Sequence, residues 1–228
     1  MDVEIWSDIA CPWCYVGKRR FESALSEFDH RDEVRVRWRS FELDPAAPAE
    51  REGDSATNLA RKYGKSREEA LAMFEQMTAT AAEDGLEFRF DRTRGGNTFD
   101  AHRITHLGAI HGLQDAVKER LMRAYLTDGE LMSDPATLRR LAIEAGLPAH
   151  EVDDLLAGDA YADEVREDEA TATSLGISAV PFFVIDRAFG AAGAQPPQTL
   201  LALLERGWES RTPLAVAAGG ESCGVDGC

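Results

Sequence analysis

The apolar positions of the chain change period five times, and each change marks a boundary between element types. Residues 3–9 place Val3, Ile5, Trp6 and Ile9 around only two charges, Glu4 and Asp8, which reads as a largely buried strand. After Cys11 and Pro12 the period becomes helical. Phe21, Ala24, Leu25 and Phe28 fall at i, i+3, i+4 and i+7, while Lys18, Arg19, Arg20, Glu22 and Glu27 take the opposite face. Residues 34–39 then alternate strictly, Val-Arg-Val-Arg-Trp-Arg, the clearest strand signal in the chain. Strand, a helix of about 18 residues and strand form a βαβ unit, whose two strands are predicted to be parallel with a right-handed crossover.

From Pro45 the texture shifts to a loop containing Pro48 and Gly53, after which strand patterns nearly vanish for more than a hundred residues. Helices take their place. Ser66 and Glu69 have capping-box spacing ahead of Ala70, Met73, Phe74, Met77 and Ala81, with Gly85 as the stop. Asn97 or Thr98 caps a helix that ends near Gly112, and a further one carrying Val117, Leu121, Ala124 and Tyr125 ends near Gly129. Asp134-Pro135 opens another, closed by Gly146; Pro148 begins a short one ending near Gly158; the last runs from Asp159 to Leu175 and stops at Gly176. Strand texture returns at residues 180–186 and again at 188–190, close enough for an antiparallel hairpin, before a helix over Pro197–Trp208. The Gly-rich remainder, 211–228, reads as a mobile tail.

The pattern therefore predicts an α/β protein: a mixed sheet flanked by helices, formed by residues 1–45 and 176–210, with an all-helical insertion over 46–175. This is the thioredoxin arrangement with a helical insertion. A chain of 228 residues is long enough to bury such a core without covalent staples. The net charge of −16 argues against nucleic acid or an anionic membrane as partner, since both would repel it. The chain has no basic segment followed by a long apolar run near its start and no spanning-length apolar stretch, which predicts a soluble, cytoplasmic protein.

The four cysteines form two close pairs, Cys11/Cys14 and Cys223/Cys228. Cys11 falls at the mouth of the first helix, where unpaired amides and the helix dipole favour a thiolate, so it is predicted to be an exposed nucleophile. Cys14, on the same helical face, is placed to resolve a mixed disulfide formed at Cys11. Pro12 and Trp13 between them hold the first turn and tune the thiolate. Two bland readings stand beside this one: half of a zinc site completed by Cys223 and Cys228, in a zinc-structured binding protein, or a purely structural disulfide. Pro181, opening an apolar strand, supports the redox reading. A cis Val180-Pro181 bond would set the Val180 backbone beside Cys11, whereas the plainer reading is a strand-entry proline.

With these pieces placed, the sequence resembles the DsbA-like thioredoxin superfamily and, within it, the cytosolic FrnE-type oxidoreductases. The matching residues are Trp6-Ser7-Asp8-Ile9-Ala10-Cys11-Pro12-Trp13-Cys14-Tyr15-Val16-Gly17-Lys18, Phe41-Glu42-Leu43-Asp44-Pro45, residues 97–103 (Asn-Thr-Phe-Asp-Ala-His-Arg), residues 180–185 (Val-Pro-Phe-Phe-Val-Ile) and residues 193–197 (Gly-Ala-Gln-Pro-Pro). The resemblance implies thiol-disulfide oxidoreductase or isomerase activity, with Cys11 as nucleophile, Cys14 as its partner and Pro181 as the facing cis-proline. It implies thiol- or disulfide-containing protein substrates, glutathione or a thioredoxin-type protein as reductant, and no bound cofactor. Cys223 and Cys228 resemble the auxiliary pair of some FrnE-type proteins, which exchanges with the main pair. Related glutathione-dependent isomerases and kappa-type transferases share the fold but generally place serine where this chain has Cys11.

In this arrangement the insertion roofs the groove beside Cys11, so Asn97, Phe99 and His102 are candidate groove residues. His102 and His106 share a helical face at a spacing that metals exploit, although no third ligand is evident; otherwise His102 packs in the groove or bonds Asp100. Met73 and Met77 read as core. Arg35, Arg37 and Arg39 read as a solvated or salt-bridged stripe, or else as a surface that steers an acidic substrate. Glu42 reads either as a buried carboxylate relaying a proton for Cys14 or as an ordinary surface residue.

Overall fold

In the computed structural model, which describes residues 1–211, β1 (Asp2–Ser7) and β2 (Arg35–Ser40) run parallel, with Ile5 opposite Trp38 and α1 (Pro12–Glu27) crossing between them. β3 (Phe182–Ile185) lies antiparallel to β1, and a tight hairpin brings β4 (Phe189–Ala192) to its outer edge, giving the order β2-β1-β3-β4. The alternation of β2 decides which way each residue faces. Val36 and Trp38 point toward α1 and α9 (Pro197–Glu209), into a core with Ile5, Phe21, Phe28, Phe183 and Leu200. The arginines take the other face, where Arg35 bonds Asp2 and Arg39 bonds Glu4 and Asp168, so the stripe is largely salt-bridged. A cleft of about 360 Å³ there, at the end of β1 opposite Cys11, mixes these arginines with Asp2, Glu4 and Asp186.

Seven helices lie between β2 and β3. They are α2 (Ser55–Tyr63), α3 (Arg67–Glu83), α4 (Phe99–Ile110), α5 (Gln114–Arg123), α6 (Pro135–Glu144), α7 (Ala149–Ala157) and α8 (Ala162–Ser174). The Ser66/Glu69 capping box forms as predicted, and Asp134 caps α6 by accepting from the Thr137 amide. α5 widens into a π-helical turn over Ala124–Asp128 and stops at Gly129, whose φ of 78° suits glycine. α8 covers the arginine side of the sheet, placing Ala172 against Trp6 and Val184. Its Asp168 carboxylate accepts from Arg39 and from the Ser40 amide, and its main-chain oxygen accepts from the Trp6 indole.

Three boundaries differ from those expected. β1 ends at Ser7, because Asp8 turns inward to accept from the Leu43 and Ala10 amides and thereby bends the chain ahead of Cys11. α8 begins at Ala162, after Tyr161 in a left-handed conformation, and β4 is shifted toward Ala192. α2 falls where a loop was expected. Its signals are short: Asp54 accepts from the Thr57 amide, Ala56 and Ala60 are buried, and Gly64 closes the helix.

The helices of this segment share a core of their own, including Ile104, Leu121, Leu138, Leu141 and Val152. Ile9, two residues before Cys11, is fully buried in that core. A further cluster packs Cys11, Cys14, Tyr15 and Val16 against Ala81, Leu86, Phe88, Met122 and Leu126, with Met77 at its margin and Met73 half-buried outside it.

Candidate active site

Cys11 occupies the N-cap position of α1, with extended backbone (φ −89°, ψ 112°), Pro12 at the first helical position and no side-chain cap. Its carbonyl accepts from the Cys14 amide at 3.0 Å, so both sulfurs face the first turn, where main-chain amides lack helical acceptors. Both are free thiols in this structure. The Val180-Pro181 peptide bond is cis, and the Val180 carbonyl oxygen lies 3.8 Å from Cys11 Sγ. Gly17, the next turn of α1, lies against the proline: a Cβ there would stand 2.8 Å from Pro181 Cγ.

The exposed residue of the motif is Trp13, at 43%, and not Cys11, which retains 5% accessibility; Cys14 has none. The expectation of an exposed Cys11 is therefore corrected. A helix N-terminus on an isolated domain would present its cap to water, but here Val180 and the helical segment close over it. Cys14 is raised well above the ordinary thiol value, first by burial and then by the adjoining Cys11 thiol, while the Asp8 main-chain amide and the Lys118 charge draw it down.

Beneath the cysteines lies a polar layer. Burial would raise the Asp8 carboxyl, but the His102 ring together with the Leu43 and Ala10 amides holds it below the usual carboxylate value. His102 has no exposed surface; burial drives its pKa below the imidazole value, so it is neutral at pH 7 and meets Asp8 Oδ1 at 3.4 Å through Nε2. Its Nδ1 has no protein partner. Two expectations for this residue are corrected: it bonds Asp8 and not Asp100, which pairs with Arg103, and it has no exposed surface with which to line a groove. Lys118 of α5 is also fully buried and donates to the Ser7 carbonyl at 3.1 Å. Burial pushes its ammonium down to about 8, against the attraction of Cys14, Asp8, Cys11 and Asp168.

The remaining candidates scatter. Asn97 accepts from the Phe99 amide, and the half-buried Phe99 ring carries the Arg166 guanidinium at 4.4 Å. Glu42 is buried, which removes the surface reading, and its Oε2 pairs with Arg166 at 2.5 Å. Burial, with Glu169 and Asp8 nearby, outweighs that pair and pushes the Glu42 carboxyl up to about 7. His106 bonds Ser40 and Asp168. Among the described residues no three His, Cys, Asp or Glu side chains group to hold a metal ion, and no helix is long and apolar enough to cross a membrane. Cys223 and Cys228 lie outside the described residues.

Gly17, Asp8 and Lys118 were not singled out by reasoning from the sequence. Signals existed for two of them. Gly17 is an uncapped glycine inside a helix, which calls for a reason in local contacts, and Lys118 falls within the apolar stripe of Val117 and Leu121.

Comparison with known proteins agrees with this geometry. The profile of the DSBA-like thioredoxin domain matches residues 2–205. The crystal structure of a probable DsbA oxidoreductase from Streptomyces coelicolor superposes with a TM-score of 0.93 at 48% identity, covering 100% of this chain and 98% of that one. The uncharacterized protein YwbO of Bacillus subtilis is 28% identical over 84% of this chain and 90% of its own length. The cytosolic disulfide reductase DsbM of Pseudomonas aeruginosa, solved with GSH, shares the fold at a TM-score of 0.64 and 17% identity, with 92% of this chain and 100% of that one covered. A sheet of order β2-β1-β3-β4 with helices inserted between β2 and β3, a Cys-x-x-Cys pair at the start of α1 and a profile match over nearly all described residues converge on one assignment: the chain belongs to the DSBA-like thioredoxin domain family.

Proposed function

We propose that the protein is a thiol-disulfide oxidoreductase, with isomerase capacity, that acts on protein substrates through Cys11 and Cys14 in the cytoplasm. The observation that carries this reading is the placement of Cys11 Sγ at a helix N-cap, 3.8 Å from the Val180 carbonyl oxygen and beside cis-Pro181. A thiolate at Cys11 attacks one sulfur of a substrate disulfide, forms a Cys11–substrate bond and expels the other substrate sulfur as a thiolate. Cys14 then displaces the substrate from Cys11 and leaves an intramolecular disulfide. An extended substrate backbone is held at Val180, and Trp13, Asn97 and Phe99 border the groove. The helical segment, residues 46–175, serves as its wall. Cys223 and Cys228 are assigned auxiliary exchange with this pair on the resemblance alone. A solved relative of the same fold that carries GSH supports glutathione as the reductant.

Catalysed reduction of insulin and refolding of a scrambled disulfide protein test the reading. Cys11→Ser is expected to abolish both, and Cys14→Ser to accumulate mixed disulfides with substrate, seen on non-reducing gels. Full activity in the Cys11 variant would end it. A second reading follows from the shared fold of 2-hydroxychromene-2-carboxylate isomerase, TM-score 0.63 at 13% identity. It is a glutathione-dependent isomerase or transferase acting on a small aromatic compound. Glutathione-dependent turnover that survives Cys14→Ser would favour it.

A further inference from the structure

We infer that Lys118 is the counter-charge for the thiolate that Cys14 becomes when it resolves a mixed disulfide, and that it acts in part through the Ser7–Asp8 peptide group. This rests on the exchange proposed above and names a positioning residue for its second step.

Among the described residues two lysines are buried. Lys18 is surrounded by carboxylates, with Glu22 at its ammonium and Asp115 and Glu119 each at 3.1 Å. Lys118 is treated differently. Among the described residues it forms no ion pair, and its one hydrogen bond goes to the Ser7 carbonyl. The Trp38 ring lies 5.8 Å away. The nearest carboxylates are committed elsewhere, Asp8 to the Leu43 and Ala10 amides and His102, and Asp168 to Arg39, Ser40 and His106. A buried ammonium left in this state is incomplete, and the groups that attract it most include Cys14 and Cys11.

The peptide geometry supplies the link. The carbonyl that accepts from Lys118 belongs to Ser7, and the other end of the same amide is the Asp8 N–H, three residues before Cys11, whose own carbonyl accepts from the Cys14 amide. A positive charge at the oxygen end polarises that amide and strengthens its N–H as a donor to a developing thiolate. The helical segment, through α5, thus reaches under the sheet to the resolving cysteine.

The step balances without another reagent. Cys14 loses its proton and attacks Cys11 Sγ; the Cys11–substrate S–S bond breaks, a Cys11–Cys14 bond forms, the electron pair leaves with the substrate sulfur, and that sulfur takes up the proton. Lys118 keeps its own proton throughout. The titratable groups facing this centre are Cys11 and Asp8 at the start of α1, His102 on α4, Tyr125 after α5 and Asp168 on α8.

The test uses full-length chain in which Cys223 and Cys228 are replaced by serine, so that only Cys11 and Cys14 report. Reaction of the dithiol with 5,5′-dithiobis(2-nitrobenzoate) releases one chromophore when Cys11 attacks and a second when Cys14 resolves. In Lys118→Met the first release is expected to persist, the second to slow about tenfold relative to it at pH 7, and its pH profile to move up by about one unit. An unchanged ratio and profile would overturn the inference. Absence of the first release in the parent chain would instead remove the exchange on which it rests. Should Lys118→Met fail to fold, lysine side-chain NMR of the unsubstituted dithiol and disulfide forms decides. Linkage requires the Lys118 midpoint to be higher in the dithiol form at pH values where the thiolate exists, and equal midpoints refute the coupling.

Discussion

Glu42 holds a carboxyl group in surroundings that favour its neutral form, because burial outweighs the Arg166 ion pair and lifts it from the ordinary 4.5 to about 7. The unfolded chain ionises it near 4.5, so folding takes up a proton between those two values. Its contribution is therefore fully present below about pH 4.5 and lost as pH rises through 7. Urea unfolding should show the difference between the parent chain and Glu42→Gln changing by up to about 3 kcal/mol from pH 5 to pH 8, with the variant gaining at the upper end. A constant difference across that range would show that Glu42 titrates normally. The same scale marks the limit of what the sequence discloses about the site. Cys11, Cys14 and Pro181 were legible because their chemistry and spacing are local or carried by motif. Lys18 and Lys118 read alike as charged helix residues, yet one meets three carboxylates and the other a peptide carbonyl under the cysteines. Periodicity assigns a face to a residue and does not name the atoms it will face.

A buried cation joins helices here alongside their apolar core. Arg103 of α4 donates to the carbonyls of Leu155 and Gly158, at the C-terminal end of α7, and to that of Ala160, while pairing with Asp100. Gly158 and Ala160 lie just past the end of α7, and Leu155, in its last turn, also accepts from the Gly158 amide; the helix dipole favours a cation there. Arg103→Met should destabilise the fold by about 3 kcal/mol, since the four hydrogen bonds of a buried guanidinium would be lost. Arg103→Lys should recover only part of that, because one ammonium cannot span the same fork. Denaturant midpoints measure both, and a neutral methionine variant would contradict this role. Most element ends were readable where a cap or glycine announces them, as at Ser66, Asp134 and Gly129. α2 escaped because it is short and lies among Pro48, Gly53 and several charges, and the end of β1 escaped because Asp8 is turned inward by amides as far away as Leu43.

Over the whole molecule, the site joins residues far apart in sequence, with Cys11 and Val180 separated by 169 positions. The parallel pair β1 and β2, the β3–β4 hairpin and the helices between them were legible from the sequence, since the changes of period follow the chain, whereas the pairing of β3 with β1 was not. The interlock between sheet and helices was not, because it depends on Ile9, which continues the apolar pattern of β1 while its side chain enters the helical core. Ile9→Ala should lower stability by about 2–5 kcal/mol. Hydrogen exchange should show protection falling together at Val16 on α1 and at Leu121 and Leu138 in the helical core, as for one cooperative unit. A variant that loosened only the helices would disprove that unity. A chain shortened by removing residues 46–175 would keep all four strands, both cysteines and the facing proline. It would also leave Ile9 and the apolar surroundings of Cys14 open to water, so the smallest form that keeps the cysteine pair sheltered includes the helices between β2 and β3.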